Sequence, residues 1–256
     1  HVVAVRSPGL HFGYSSTIRR PTIRDVAGVW AIDDDNFTVN APNPRLQPET
    51  SKNLAARLAY YFEPVGILGL NLFQNTVQGL HRTTQQTAAE FGYDGDLDLS
   101  SYVFNTTIAS PGQVVIRGME LEYSQSLSFL PRPFKGLNLR ASYTRSYAEV
   151  VTPSMSPHGV NTGFNYTFKR FTAYTSLNWR DDTPTNVANT SYNRHRATID
   201  VGGSVRLTNR FTFLFSGRNI RSEPVITMQK NGSNPAVAQT IEVTGTIWTF
   251  GVKGVW

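Results

Sequence analysis

The sequence contains no cysteine. That excludes a disulfide framework and any thiolate metal site. It also lacks long apolar runs: nothing approaches the roughly 20 consecutive apolar residues that a spanning helix needs. Hydrophobic residues make up 39% of the chain and the mean hydropathy is −0.29, so it is not a helical membrane protein. A β-barrel escapes that test, because a polar lumen face dilutes its lipid face at every second residue. A block of charge of one sign is missing too. The net charge is +6, but the arginines are scattered over strands and loops, whereas a nucleic-acid binder gathers them on one face. No nucleic-acid partner is therefore expected. There is no initiator Met and no signal peptide, so His1 does not read as the native start and the chain reads as a fragment of an exported protein.

What is present is alternation. The last stretch, Gln239 to Trp256, reads QTIEVTGTIWTFGVKGVW. Trp248, Phe250, Val252 and Trp256 share one parity, while Ile247, Thr249, Gly251, Lys253 and Val255 take the other. Strand side chains alternate between faces, so one face is apolar and aromatic and the other mixed. The same pattern recurs upstream. Leu10, Phe12, Tyr14 and Ile18 follow a Pro8-Gly9 turn. Leu54, Leu58, Tyr60 and Phe62 precede the tight turn Glu63 to Gly66, and Leu68, Leu70 and Leu72 return from it. Val115, Met119, Leu121, Tyr123, Leu127 and Phe129 oppose Glu120, Glu122, Ser124, Ser126 and Ser128. Leu137, Leu139, Ala141 and Tyr143 oppose Asn138, Arg140, Ser142 and Thr144. Phe164, Tyr166 and Phe168 meet Phe171, Ala173, Leu177 and Trp179 across Lys169-Arg170. Ala197, Ile199, Val201 and Val205 oppose Arg196, Thr198, Asp200, Ser204 and Arg206, and Phe211, Phe213 and Phe215 follow.

This makes about ten strands whose connections alternate between short turns and long loops, the pattern of an outer-membrane barrel with short periplasmic turns and longer outer loops. The long segments are Arg19 to Ser51, Gln78 to about Gln113, Arg180 to Arg194 and Arg221 to Ala238. Phe62, Phe129, Phe134, Phe168, Phe171, Phe211 and Trp256 lie beside short turns or at the chain end, and Tyr147 and Trp179 at the opposite ends of their strands. Rings favour both membrane interfaces, where one side is apolar and the other wet. A soluble β-sandwich has little reason to place its aromatics there. The fold expected is all-β: an antiparallel up-and-down transmembrane barrel portion over residues 1–256.

Three stretches resemble the C-terminal half of TonB-dependent outer-membrane transporters. Tyr14 to Val26 (YSSTIRRPTIRDV) ends a strand in Arg20-Pro21. Asn43 to Phe62 (NPRLQPETSKNLAARLAYYF) carries an Asn-Pro-x-Leu-x-Pro-Glu-Thr segment leading into a strand, the most specific match. Gly118 to Tyr143 holds GMELEY, a Leu-Pro turn and GLNLRASY. The resemblance covers nearly all of the chain. It implies a place in the cell outer membrane of a Gram-negative bacterium. It also implies active import by the parent of a scarce, bulky ligand such as a siderophore, cobalamin or an oligosaccharide. Transporters of this type have 22 strands and a plugged lumen, so the resemblance implies that an N-terminal half with the plug domain, and contact with the TonB complex through it, lie outside this chain. The closing strand (Trp248, Phe250, Val252, Trp256) resembles the signal read by the barrel-assembly machinery. The alternatives are a small self-contained barrel, acting as a passive pore or adhesin, and a soluble binding module. Upstream sequence separates the first two readings, and detergent dependence separates both from the third.

No enzyme, cofactor or metal site is expected. Five histidines (His1, His11, His81, His158, His195) are dispersed without metal-ligand spacing, and no nucleophile, base and orienter stand together. Asp94 to Asp98 could attract calcium, but Leu99 stands where an EF-hand needs glycine and Asn105 where it needs the bidentate Glu. A solvated acidic loop is the better reading, and Asp33 to Asp35 reads the same way. Glu120, Glu122, Arg140, Arg196, Asp200 and Arg206 are expected on the lumen face, Arg140 and Arg206 offsetting the glutamates. His81, Arg82, Phe91 and Tyr93 are expected to touch ligand from a long outer loop, since loops vary over a rigid scaffold. Arg117 and Arg145 fall on the lipid-side parity near the loop ends, where charge is tolerable. They are expected to meet lipopolysaccharide phosphates or to stand in water above the bilayer.

Overall fold

The computed structural model describes residues 8–254. In chain order the elements are β1 (Pro8–Arg19), α1 (Ile23–Ala27), β2 (Ala31–Asp33), β3 (Thr38–Asn40), β4 (Glu49–Phe62), β5 (Gly66–Gln78), β6 (His81–Thr87), α2 (Ala88–Phe91) and β7 (Val103–Ala109). There follow β8 (Gln113–Ser126), β9 (Leu137–Ala148), β10 (His158–Phe168), β11 (Phe171–Arg180), β12 (Thr183–Pro184), β13 (Ser191–Asn193), β14 (Arg196–Arg206), β15 (Phe211–Arg218), β16 (Val225–Asn231), β17 (Asn234–Glu242) and β18 (Ile247–Gly254).

Ten of these strands form one sheet in the order β1-β4-β5-β8-β9-β10-β11-β14-β15-β18. Each strand neighbours the next strand of that sheet in the chain, which is an up-and-down meander. The connections alternate as the sequence predicts: three residues join β4 to β5 and two join β10 to β11, while longer segments join β1 to β4 and β5 to β8. Among the described residues β1 and β18 stand at the two ends of this order and do not pair with one another, so the sheet is not closed. His1, counted among the histidines, and Trp256, placed with the outward aromatics of the closing strand, lie outside the described residues.

Register fixes the faces. Gly163 pairs with Arg140 on one side and Ser176 on the other, and Ser176 pairs with Asp200. Those four share one face, as do Ser142, Asn161, Asn178 and Thr198 one row along. The opposite face carries Leu139, Phe164, Ile199, Val205, Phe213, Phe250 and Val252. That apolar face is not buried under a second sheet: Phe12 is 78% exposed and Phe250 65%. Large rings cover glycines along it. An added Cβ on Gly217 would come within 2.6 Å of the Trp248 ring, and one on Gly66 within 2.3 Å of Phe62. Phe62 also stacks at 6.2 Å on Tyr123, beside the short turns. Aromatic and aliphatic surface turned outward on a β-sheet belongs in lipid.

The long segments depart from expectation. They are not structureless but hold eight further strands in two small sheets, β12-β13-β16-β17 and β2-β3-β7-β6. The reason is that a long loop must still satisfy its backbone N–H and C=O groups. Gly232-Ser233 turns β16 into β17, with Gly232 at φ +56°. The final run is accordingly two elements: Gln239 to Glu242 completes β17, and β18 begins only at Ile247. Pro8-Gly9, read as a turn, opens β1.

The chain divides into two compact units. One holds residues 1–13, 55–73 and 117–256, the other 14–54 and 74–116. The second has its own small core of Val39, Ala41, Leu99 and Phe104. Trp30 packs edge-on to Phe91 at 5.6 Å, and Phe91 stacks on Phe104 at 5.0 Å. Both short helices in this unit start from a capping box: Thr22 with Asp25, and Thr87 with Glu90.

Candidate functional site

The polar face of the large unit is the candidate site. On it Arg57 donates to Glu122 at 2.8 Å and to Asn71 at 3.3 Å, and Asn71 donates to Glu120 at 3.5 Å. The partner of Glu122 is thus Arg57 on β4 rather than Arg140 or Arg206, because β5 presents Gly69 between them. A Cβ there would meet Glu122 at 3.2 Å, and the Arg57 guanidinium lies 3.7 Å away. Glu120, Glu122, Arg140, Asn161, Asn165 and Ser176 line a depression of about 580 Å³. Arg196 and Asp200, two apart on this face, are not each other's partners. Arg196 donates to the Glu223 carbonyl at 2.9 Å, and Asp200 accepts from the Asn219 N–H at 2.8 Å. Arg206 shares their parity on β14.

The row nearest the outer loops is the most unusual. Gly159 pairs with Arg180, and Arg180 pairs directly with Arg196. Like charges directly opposite one another across strands destabilise a sheet. Arg194 joins them around a cavity of about 540 Å³, with Asn161, Asn178 and Trp179. No Asp or Glu lines it. The acids nearest in sequence are engaged locally: Asp182 accepts from the His195 N–H at 2.6 Å, and Asp181 from the Asp182 N–H at 2.8 Å. Three guanidinium groups around a space with neutral donors suit an anion. Arg180 and Arg194 lie at the seams of strand and loop, and extending the alternation of β11 by one residue would have found the first of them.

In the small unit, His81 is built into the scaffold. Its N–H donates to the Glu49 carboxylate at 2.7 Å, and its ring Nε2 lies 2.7 Å from the Gln47 carbonyl. Phe91 and Tyr93 pack with Trp30 and Phe104. Arg82 has a buried Nε without a hydrogen-bond partner. The Asn43 to Thr50 segment explains itself here. The Asn43 side chain donates to the Thr107 carbonyl at 2.9 Å, Leu46 is buried, and Glu49 ties His81 and Arg19 together. A second cavity of about 530 Å³ is lined by Thr22, Arg24, Asp25, Asn40, Thr83 and Asn105. The acidic loops serve local turns. The Asn36 side chain and N–H hold Asp33 below the usual carboxylate range, and the Ser100 hydroxyl and N–H do the same for Asp98. The Thr87 N–H and then its hydroxyl lower Glu90, while the hydrogen bond to Asp34 raises the Tyr102 phenol.

On the apolar face Trp248, Phe250 and Val252 project together from β18, as their parity requires. Arg117 and Arg145 lie on that face as well. The Arg117 guanidinium sits 5.0 Å over the Tyr147 ring, and Arg145 pairs with His158.

A meander of ten strands with one lipid-facing side and one polar side is the wall of an outer-membrane β-barrel. Residues 7–220 match the family described as TonB dependent receptor-like, beta-barrel, and the chain belongs to that family. Its members are receptors of the Gram-negative outer membrane and not enzymes. Solved structures of the same fold include a mutant of the ferric enterobactin receptor PfeA from Pseudomonas aeruginosa, with 14% identity and a TM-score of 0.66 over 100% of this chain and 39% of that one. The copper transporter OprC has 14% identity and a TM-score of 0.68 over 99% and 39%. The siderophore receptor PirA from Acinetobacter baumannii has 12% identity and a TM-score of 0.64 over 96% and 39%. The chain therefore spans about two-fifths of the length of these proteins. Comparison with curated proteins finds no match.

Proposed function

We propose that this chain is the C-terminal part of the barrel of a transporter that binds and actively imports a scarce, bulky, anionic ligand, a ferric siderophore above cobalamin or a neutral oligosaccharide. The observation that carries this is the Arg180–Arg196 pair, with Arg194, around a cavity lined by no carboxylate. An anion bridging the two guanidinium groups removes the like-charge penalty of the pair. Siderophore receptors among the structures of the same fold support the choice. In this reading the N-terminal plug and the TonB complex supply gating and energy, Glu120, Glu122 and Arg140 line the lumen, and the loop bearing Arg82 contributes ligand contacts. The barrel-assembly machinery reads the outward aromatics of β18.

The test uses the full-length receptor in cells. Uptake of a ferric catecholate, cyanocobalamin and a maltooligosaccharide is compared, with and without a protonmotive force. Energy-dependent uptake of the iron complex alone is expected, with affinity falling about tenfold or more in Arg180→Ala/Arg196→Ala, as for loss of a charge-assisted bond. Energy-independent flux would point to a passive pore. Unchanged affinity in the double variant would overturn the site.

A further inference from the structure

The small sheet β2-β3-β7-β6 has two unlike faces. Register puts Ile32, Val39 and Phe104 in one row, and Val39 and Phe104 are fully buried in the core of their unit. The other face is polar. Its first row is Ala31, Asn40, Asn105 and Gln85, taken across β2, β3, β7 and β6, and Thr107 pairs with Thr83 in the next row on that face. Neighbouring strands lie about 4.8 Å apart, and successive residues on one face of a strand about 7 Å apart. Three carboxamides and two hydroxyls therefore stand on a grid with the spacing of the backbone, none of them charged.

The segment around α1 closes one side of this grid. Thr22, Arg24, Asp25 and Val29 line the cavity of about 530 Å³ together with Asn40, Thr83, Asn105 and Thr107. The Asn43 N–H donates to the Asp25 carbonyl at 2.6 Å and its side chain to the Thr107 carbonyl at 2.9 Å. The first residue of the Asn-Pro-x-Leu-x-Pro-Glu-Thr segment thus holds α1 against β7. The polar groups keep spare capacity. Gln85 donates to the Asn105 side-chain oxygen at 3.3 Å, which leaves the Asn105 amide hydrogens. Among the described residues the side chains of Asn40, Thr83 and Thr107 take no hydrogen-bond partner. One Asp25 oxygen accepts from the Thr22 hydroxyl at 2.6 Å and from its N–H at 3.3 Å, leaving the other. Arg24 forms no salt bridge among those of the described residues. One cation and one carboxylate line the cavity, so its formal charge is zero. The cavity of Arg180, Arg194 and Arg196 is the opposite case.

A cleft of this size with a few convergent polar groups is the usual form of a small-ligand site. A carboxamide presents donors and an acceptor in one plane, and a hydroxyl both gives and accepts. Adjacent hydroxyls on a sugar ring do the same, so the two sets match group for group. Val29, Ala31 and Pro42 add aliphatic surface for the C–H side of such a ring. Zero formal charge gives an anion no advantage. We infer that Asn40, Thr83, Asn105 and Thr107, with Arg24 and the second oxygen of Asp25, bind a neutral sugar unit of a glycan. A soluble oligosaccharide and the cell's own surface polysaccharide carry the same chemistry. All these residues belong to the unit of residues 14–54 and 74–116, while Arg180 and Arg196 belong to the other. The site is therefore separate from the proposed cargo site and stands whether or not that cargo is right.

The experiment takes the purified full-length receptor in detergent, with no energy source. Binding of maltotriose, cellotriose, mannotriose and the acidic trigalacturonate is measured by isothermal titration calorimetry. At least one neutral trisaccharide is expected to bind, and more tightly than trigalacturonate. Thr83→Val/Thr107→Val keeps the shape and removes two hydroxyls, so affinity should fall about tenfold, as for loss of two neutral hydrogen bonds. Asn105→Ala should weaken binding as well, and Arg210→Gln, at a short turn, should change nothing. Hydrogen exchange across β6 and β7 checks the fold of the unit, and if the double variant fails it the two single variants decide. Binding of no neutral trisaccharide, or equal affinity in the folded variants, would overturn the site. Preference for trigalacturonate would show an anion site at Arg24 instead and would also overturn it. In cells, binding of the labelled trisaccharide is compared before and after enzymatic removal of surface polysaccharide. A gain on removal supports the site with the cell's own glycan as its occupant, and an unchanged level supports it with a soluble one.

Discussion

Glu49 shows how one side chain can fix a unit. It opens β4, and its carboxylate is buried between the His81 N–H and the Arg19 guanidinium. Removing it strands a buried donor, and an unsatisfied buried group costs about 1–3 kcal/mol. Glu49→Ala is therefore expected to raise amide exchange across His81 to Thr87 markedly in hydrogen-exchange mass spectrometry. Glu49→Gln keeps an acceptor oxygen and should do so much less. Equal exchange in both variants would mean that the contact is incidental. The same residue belongs to the Pro-Glu-Thr segment that carries the family resemblance, so that segment is a structural clasp and not a ligand motif. His81, expected at a ligand, is the other half of the clasp.

The strands are fitted to one another by size as well as by polarity. Gly118 on β8 leaves room for the Arg145 backbone carbonyl, which an added Cβ would approach to 2.4 Å. Backbone in a paired strand has nowhere to move. Gly217 leaves room for the Trp248 ring, 2.6 Å from its own added Cβ, but a ring facing lipid can swing aside. Overfilling a packed site costs about 1–3 kcal/mol. Gly118→Ala should sit at the upper end of that range and Gly217→Ala at the lower, read as shifts in urea midpoint of the refolded full-length barrel in liposomes. The reverse order would show that the aromatic covering of the apolar face is the stiffer contact.

At the scale of the molecule the decisive feature is the pair of edges. Among the described residues the strand order stops at β1 and at β18 without joining them. Lipid offers no hydrogen bonds to an open edge, and an unpaired edge invites pairing with another chain. Residues 1–256 produced alone and reconstituted into liposomes should give no ligand-specific flux, and in detergent should associate through those edges. Specific flux through a monomer of this stretch would sink the idea that the remaining wall is required. The full-length protein, reconstituted in parallel, is the positive control.

The number of wall strands, their facing and the alternation of short and long connections were legible in the residue order, because a period of two is written directly in a strand whose faces meet lipid and water. The turn at Lys169-Arg170 and the outward set Trp248, Phe250 and Val252 followed from that period. The small sheets inside the outer loops were not legible, although Gly232-Ser233 offered a hairpin signal, since short polar strands such as HRTTQQT lack an apolar stripe. The charge partners were not legible either. That Glu122 meets Arg57 rather than Arg140, that Asp200 serves Asn219, and that Arg180 faces Arg196 depend on which strands lie side by side and in what register. Sequence local to each strand determined which way a side chain points. Only the tertiary pairing decided what it finds there, because contacts between strands join residues that can stand far apart in the chain.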